Sequence, residues 1–158
     1  MVETIKADLC VIGGGSGGLS VAAGASQMGA SVVLFEAGKM GGDCLNYGCV
    51  PSKALLAAAK TAQTFRKADA FGVAPAEPKI DFAKVRDHVH GVIGAIAPHD
   101  SVERFEGLGV RVVQARARFT GPRTVDGGDV RVEARRIVIS TGSKPFAPPI
   151  PGLAETPY

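Results

Sequence analysis

The sequence contains no long hydrophobic run. No stretch approaches the roughly 20 apolar residues that a membrane-spanning helix needs. The first residues, MVETIKADLCVIGGG, include Glu3 and Asp8, and their short apolar run ends in glycines, so the apolar core of a secretory signal peptide is lacking. These absences predict a cytoplasmic protein with no membrane partner. In that compartment disulfides are usually catalytic or redox-sensing rather than structural.

The net charge of the chain is also small. A formal net charge of +3 is too small to indicate a nucleic acid or an anionic membrane as partner. Residues 111–144 are locally basic, with eight Lys or Arg against three acids. They include hardly any of the aromatic residues on which bases stack, so we interpret the charges as a solvated strand face and predict no nucleic-acid partner.

The sequence has no recognisable set of metal ligands. His88, His90 and His99 lie on or near a predicted apolar helix without a partner pattern, and we assign them no catalytic or metal role. A structural zinc site needs four ligands, which cannot be assembled from these residues. Cys10 falls inside an apolar segment and is predicted to be an inert buried thiol.

Glycine, by contrast, is abundant. The chain has 21 glycines in 158 residues, about twice the usual share, which indicates tight turns and close backbone contacts. Hydrophobic residues make up 46%, which suits one globular domain with a substantial core.

The first segment predicts a βαβ unit. An apolar strand at 9–12 leads through a glycine turn into a small-residue helix at about 17–28, and a second strand follows at 31–35. Gly13, Gly15 and Gly18 spell GxGxxG. In this motif one glycine makes the turn, the second lets a pyrophosphate approach the backbone, and the third lets helix and strand pack closely.

The same segment predicts a dinucleotide site. The helix N-terminus would face the phosphate charge, and Glu36, which closes the second strand, can accept hydrogen bonds from ribose hydroxyls. The motif alone does not distinguish FAD from NAD.

The middle of the chain predicts helices. One covers 53–67, the prolines around 75–80 interrupt the pattern, and a longer helical region covers 81–106, divided at Pro98. We expect its apolar stripe to pack against the sheet rather than against a partner helix. The stripe consists of Phe82, Val85, Val89, Val92 and Ile96.

From Val110 the pattern changes to short alternating segments, which predict a small antiparallel meander followed by a buried strand. Gly127 and Gly128 are a hairpin signal. Residues 146–158 are proline-rich and resemble an extended linker.

The segment GGDCLNYGCVPSKALL contains two of the three cysteines, Cys44 and Cys49. A disulfide here would close a very short loop and stabilise the fold by at most about 2 kcal/mol. Residues five apart in a regular helix are too distant for the bond, so Asn46 and Gly48 are expected to bend the backbone. A helix N-terminus and Lys53 would favour the Cys49 thiolate. Two buried free thiols, or half of a zinc site, are the alternatives.

Three motifs occur in the order expected of one family. GxGxxG with Glu36, GGDCLNYGCVPSK and IVISTGSKP together resemble the flavin domain of class I pyridine nucleotide-disulfide oxidoreductases, which include dihydrolipoamide dehydrogenase, mercuric reductase and glutathione reductase. The resemblance covers nearly the whole chain. It implies an α/β fold: a Rossmann-like FAD-binding domain with a parallel sheet, flanking helices and a small antiparallel β-meander.

The resemblance also implies an electron path. NAD(P)H would reduce FAD, which would pass two electrons to a Cys44–Cys49 disulfide and on to a dithiol/disulfide or mercuric substrate. Cys49 would face the flavin, Cys44 would exchange with substrate, and Lys53 would lie near the reactive flavin nitrogen. Ala117 and residues 141–143 would contact the adenosine half. The full set expected to contact FAD is Gly13, Gly15, Ser16, Gly17, Gly18, Glu36, Ala37, Lys39, Gly41, Gly42, Asp43, Cys44, Cys49, Lys53, Ala117, Thr141, Gly142 and Ser143.

Three residues depart from the family pattern. Asp43 stands where Thr is usual, and an acid near a pyrophosphate is unfavourable unless it turns towards backbone amides. Tyr47 replaces a small apolar residue between the cysteines, and Ser140 stands where Ala is commoner.

The resemblance further implies a longer enzyme. Residues 1–145 would form the FAD-binding domain, and 146–158 would lead to a nicotinamide-binding domain that the chain does not include. The parent enzyme would be a homodimer, and the fragment alone would bind FAD weakly or not at all and would not oxidise NAD(P)H. The alternative is a stand-alone flavin-binding or thiol-redox module without nicotinamide chemistry. The residues do not choose between NADH and NADPH, or among lipoamide, mercuric ion and another disulfide as substrate.

Overall fold

The structure is a computed structural model that describes residues 2–143 and 146–156. Its strands are β1 (Glu3–Ile12), β2 (Val32–Phe35), β3 (Val110–Val113), β4 (Arg118–Gly121), β5 (Thr124–Gly127) and β6 (Val130–Ile139). Its α-helices are α1 (Ser16–Gln27), α2 (Gly42–Asn46), α3 (Cys49–Arg66), α4 (Phe82–Ile96) and α5 (Val102–Gly107). Short 3-10 turns lie at Ala68–Phe71, Ala97–Asp100 and Leu153–Glu155.

The strands form one mixed six-stranded sheet in the order β3-β2-β1-β6-β5-β4. Strands β3, β2, β1 and β6 are parallel, and β6, β5 and β4 are antiparallel. This arrangement confirms the predicted α/β class with flanking helices and a meander. The predicted hairpin at Gly127 and Gly128 connects β5 to β6, and Gly128 has a positive φ of 58°.

The predicted βαβ unit is β1, α1 and β2. Strand β1 begins earlier than expected, because its first residues also pair with β6, from Glu3 opposite Val130 onward. Helix α1 contributes Leu19 and Ala22 to a buried cluster that also contains Phe105 of α5. On the other sheet face a second cluster packs around Phe35. The carboxyl ends of β1, β2 and β6 therefore belong to a sheet that is packed on both faces.

Two details of the predicted sheet are wrong. The segment beginning at Val110 was expected in the antiparallel meander, but its first part is β3, a parallel edge strand whose Val110 lies opposite Val32. Val110 and Val112 bury their side chains beside α5, which explains this position. The last segment of the expected meander and the buried strand expected after it are one continuous strand, β6.

The expected packing of the long helical region against the sheet is also wrong. The region divides near Pro98, as predicted, into α4, a 3-10 turn and α5. However, α4 packs mainly against α3, and none of its residues is fully buried. Phe82 remains 71% exposed. In the chain the α3–α4 pair follows α2, which begins beside the glycine turn after β1, and both helices contact α2 as well as each other.

Among the described residues, no helix combines the length and apolar character needed to cross a membrane.

Candidate functional site

The GxGxxG turn has the geometry expected of a dinucleotide-binding loop. Gly13 has a φ of 111°, a region that favours glycine, and a Cβ there would overlap the backbone of Ser140. A Cβ on Gly18 would overlap the carbonyl oxygen of Gly13, so α1 approaches β1 as closely as a glycine allows. Gly15 is different, because the nearest atom to its Cβ position is the Gly42 Cα at 3.7 Å. The backbone at Gly15 is therefore open to a ligand.

The N-terminus of α1 is free to face an anion. Gly15 is its N-cap residue, it has no side-chain cap, and its first turn contains no acidic residue. The first N–H groups of a helix lack intrahelical partners and carry partial positive charge. This helix end thus fits a pyrophosphate without any change of side chains.

Glu36 links the two loops at the strand ends. Its Oε2 accepts a hydrogen bond from the Gly14 N–H at 2.6 Å, and its Oε1 accepts one from the Gly38 N–H at 2.6 Å. Each carboxylate oxygen keeps further acceptor capacity, so the side chain can still receive a ribose hydroxyl. Sequence reasoning missed the two backbone contacts.

The glycine pair before Cys44 packs on the GxGxxG turn. The Gly41 N–H donates to the Gly14 carbonyl at 2.9 Å. A Cβ on Gly42 would lie 2.6 Å from the Gly15 Cα, which no side chain could occupy unless the backbone shifted. The segment with the cysteines is therefore fixed against the dinucleotide loop.

Asn46 holds the same segment from its other end. Its Nδ2 donates to the Met40 carbonyl at 3.1 Å and to the Gly42 carbonyl at 2.8 Å. Helix α2 then ends, and the N–H groups of Tyr47 and Gly48 both donate to the Asp43 carbonyl at 2.9 and 2.6 Å. The backbone bends between the two cysteines, as the sequence predicted.

The two thiols of this segment lie together. Cys44 is half-buried at the centre of α2, Cys49 is exposed at the start of α3, and both are free thiols. Interaction with the Cys49 thiol, with some loss of solvent, raises the pKa of Cys44, while the charge of Lys53 opposes the shift. The disulfide itself stays a prediction.

A groove of about 720 Å³ joins these parts. Most of the residues predicted to bind the cofactor line it: Gly13, Gly15, Glu36, Ala37, Lys39, Gly42, Asp43, Ala117, Thr141, Gly142 and Ser143. Its lining does not include the predicted Ser16, Gly17, Gly18, Gly41, Cys44, Cys49 and Lys53.

The groove also contains residues that the sequence did not indicate. They are Ile12, Phe35, Gly38, Ala115 and Arg116, together with Tyr47 and Ser140, which the sequence marked only as departures from the family pattern. Ile12 and Phe35 end parallel strands, where α/β sheets bind ligands, so that rule could have found them. Gly38, Arg116 and Ser140 are chain neighbours of predicted residues.

The remaining cysteine lies apart from the site. Cys10 is fully buried in β1, and burial raises the pKa of its thiol to about 11. Its thiolate is therefore scarce near neutral pH, in agreement with the inert role predicted for it.

Comparison with known proteins decides the family. A sequence model of the pyridine nucleotide-disulphide oxidoreductase family matches residues 7–158. The chain belongs to this family. Among pyridine nucleotide-disulphide oxidoreductases it is 39% identical to a mercuric reductase from Streptomyces lividans over 157 residues, which cover 96% of the chain and 33% of the relative. It is 38% identical to a dihydrolipoyl dehydrogenase from Halobacterium salinarum over 150 residues, covering 90% of the chain and 31% of the relative.

A solved structure shares the fold. The Cu(II) complex of the HOCl-induced flavoprotein disulfide reductase RclA from Escherichia coli matches with a TM-score of 0.74 at 24% identity, over 94% of this chain and 31% of that one. The chain thus spans about a third of the length of these pyridine nucleotide-disulphide oxidoreductases.

Proposed function

We propose that the chain is the FAD-binding part of an NAD(P)H-dependent disulfide oxidoreductase in which Cys44 and Cys49 form the redox-active pair. The observation that carries this proposal is the packing of Gly41 and Gly42 on the GxGxxG turn. Since Asp43 lines the groove and Cys44 is the next residue, this packing supports a thiol pair next to a dinucleotide site.

The residues of the groove fit FAD. The open backbone at Gly15 and the uncapped end of α1 would hold the pyrophosphate, and Glu36 would accept a ribose hydroxyl. Ala117 and residues 141–143 line the part of the groove proposed for the adenosine half. When bound, FAD supplies the two-electron chemistry that connects a nicotinamide with a thiol pair.

The two thiols have different environments, which supports different roles. Interaction with Cys49 raises the pKa of Cys44, which supports a reduced pair in which Cys44 is the thiol that retains its proton. Cys49 is the first residue of α3, where the helix dipole favours an anion. We therefore assign the thiolate to Cys49 as the flavin-facing group, exchange with substrate to Cys44, and support of negative charge to Lys53.

The domain organisation is part of the proposal. We propose that residues 1–145 are the FAD-binding domain and that 146–158 lead to a nicotinamide-binding domain outside this chain. The boundary at Pro145 and the last two residues lie outside the described residues. Exposed Phe146 and Ile150, with a single short turn at Leu153–Glu155, support a connecting segment.

We further propose that the whole enzyme is a cytoplasmic homodimer acting on a disulfide-type or mercuric substrate. The apolar side chains exposed on α3 and α4 support association, since a second copy would cover them. They are Leu55, Leu56, Phe65 and Phe82. The mercuric reductase and the dihydrolipoyl dehydrogenase have nearly the same sequence identity to this chain, 39% and 38%. We therefore propose both substrate classes.

Anaerobic mixing of the reduced chain with FAD tests the proposal. The dithiol should bleach one equivalent of FAD and become a Cys44–Cys49 disulfide, much faster than glutathione at the same thiol concentration. Cys49→Ser should lose this reaction. Gly15→Val should slow it, because the added side chain would fill the proposed pyrophosphate site, whereas Gly24→Ala, with open space at its Cβ, should not. A rate no greater than that of glutathione would rule out a shared flavin and thiol site.

A further inference from the structure

Asp43 belongs to α2, but its side chain lies at the start of α3. A Cβ placed on Gly48 would lie 3.1 Å from the Asp43 Oδ2 and 3.1 Å from the Asp43 carbonyl oxygen, so both groups lie against the Gly48 backbone. The carbonyl accepts the N–H groups of Tyr47 and Gly48, which fixes this bend. Gly48 is the N-cap residue of α3, and Cys49 is the first residue of that helix. The Asp43 carboxylate is therefore held at the helix end that carries Cys49.

The acid at this helix end comes from outside the helix. Gly48 provides no side-chain cap, and the first turn of α3 contains no acidic residue. A carboxylate at a helix N-terminus is attracted by the same partial positive charge that stabilises a thiolate there, and it also repels that thiolate. Asp43 thus opposes a negative charge on Cys49, whereas Lys53, one turn further along α3, favours it.

We propose that Asp43 is a positioning residue for the redox chemistry: its carboxylate limits the negative charge on Cys49 and so favours the Cys44–Cys49 disulfide over the reduced pair. The inference rests on the proposed function, since it concerns the same two thiols. Reduction by two glutathione molecules breaks the disulfide and gives one glutathione disulfide and two protein thiols. Where Cys49 is ionised, the products are a Cys44 thiol, a Cys49 thiolate and one released proton. Removal of the Asp43 charge stabilises this thiolate and with it the reduced pair.

Alkylation of the reduced 158-residue chain over a pH series tests the inference. Wild type, Asp43→Asn, Asp43→Glu and Asp69→Asn react with iodoacetamide, and peptide mapping gives the rate at Cys49. Asp69→Asn is the matched control, because it removes the same charge beyond the far end of α3, about 25 Å from Cys49 at 1.5 Å per residue. Equilibration of the same proteins with glutathione buffers at alkaline pH measures how easily the disulfide is reduced.

The other elements packed on α3 keep their titratable groups in the Asp43 variants. These groups are Cys44 on α2 and Lys84, Arg86, Asp87, His88 and His90 on α4.

The expected result is alkylation of Cys49 about fivefold faster in Asp43→Asn than in wild type at neutral pH and low salt, with nearly the same limiting rate at alkaline pH. The gain should shrink as salt is added. Asp43→Glu keeps the charge and should behave like wild type, as should Asp69→Asn. In alkaline glutathione buffers the Asp43→Asn disulfide should be reduced about fivefold more easily, which is a rise in reduction potential of about 20 mV.

Equal or slower alkylation of Cys49 in Asp43→Asn would overturn the inference and leave the redox pair standing. The same gain in Asp43→Glu would also overturn it, since the cause would then not be the charge. Absence of a Cys44–Cys49 disulfide from all four proteins in oxidising glutathione buffer would overturn the inference and count against the proposed function as well.

Discussion

Three cysteines in one chain differ in chemistry because of where each lies. Cys10 is enclosed in β1, Cys44 is half-buried beside Cys49, and Cys49 is exposed at the start of α3. Alkylation of the reduced native protein should therefore modify Cys49 readily and Cys10 only after unfolding. Because the pKa of Cys44 is raised, its modification should become fast only at more alkaline pH. Peptide mapping by mass spectrometry over a pH series measures all three rates.

The oxidised protein provides the matching control. After air oxidation and unfolding, one thiol, Cys10, should react before reduction and three should react after it. Three reactive thiols in the oxidised sample would show that Cys44 and Cys49 do not pair.

At the scale of elements, the close packing of α1 against the end of β1 depends on Gly18. An added methyl group would overlap the Gly13 carbonyl oxygen and lie 2.7 Å from the Ser140 Oγ. Gly18→Ala should therefore lower the free energy of unfolding by about 1–3 kcal/mol, as expected of an overpacked contact. Gly24→Ala lies in the same helix with nothing within 4 Å and should instead raise it by about 0.5–1 kcal/mol. Urea unfolding of both variants checks the opposite signs, and a shift in the same direction would contradict the role given to Gly18.

Local patterns in the sequence predicted some elements well. The βαβ unit, the bend between the cysteines and the hairpin at Gly127 each depend on residues close together in the chain, and the structure contains all three. Periodicity reveals which side of a helix is apolar but not what covers it. For that reason α4 was assigned to the sheet when it packs on α3, and β3 was placed in the meander.

In the candidate site, too, the sequence predicted individual residues but not the contacts between separate loops. The GxGxxG motif indicated Glu36, and the family resemblance indicated residues 141–143, far away in the chain; all of them line the groove. The packing of Gly42 on Gly15, the two amides on Glu36 and the contribution of Arg116 depend on how separate loops meet. No local pattern encodes such contacts.

At the scale of the whole molecule, the chain should be an incomplete catalyst. It spans about a third of the length of its relatives, and electrostatic contacts to a ligand are weakened by salt wherever they are exposed to solvent. We expect weak FAD binding and no steady oxidation of NADH. The visible spectrum after removal of excess FAD, together with the NADH oxidation rate, measures both properties. A stoichiometric yellow protein with continuous turnover would show that these residues form a complete enzyme.

The pairing of β1 with β6 has a consequence for biosynthesis. Strand β1 is synthesised well before β6 at Val130–Ile139, which is one of its two neighbours in the sheet. Until those residues emerge, the nascent chain exposes an apolar strand edge that can pair with another polypeptide. Such non-local pairing also slows folding, because a long loop must close before the contact forms. A growing chain that stalls before Val130 is thus open to aggregation, because the β1 edge stays unpaired until β6 is made.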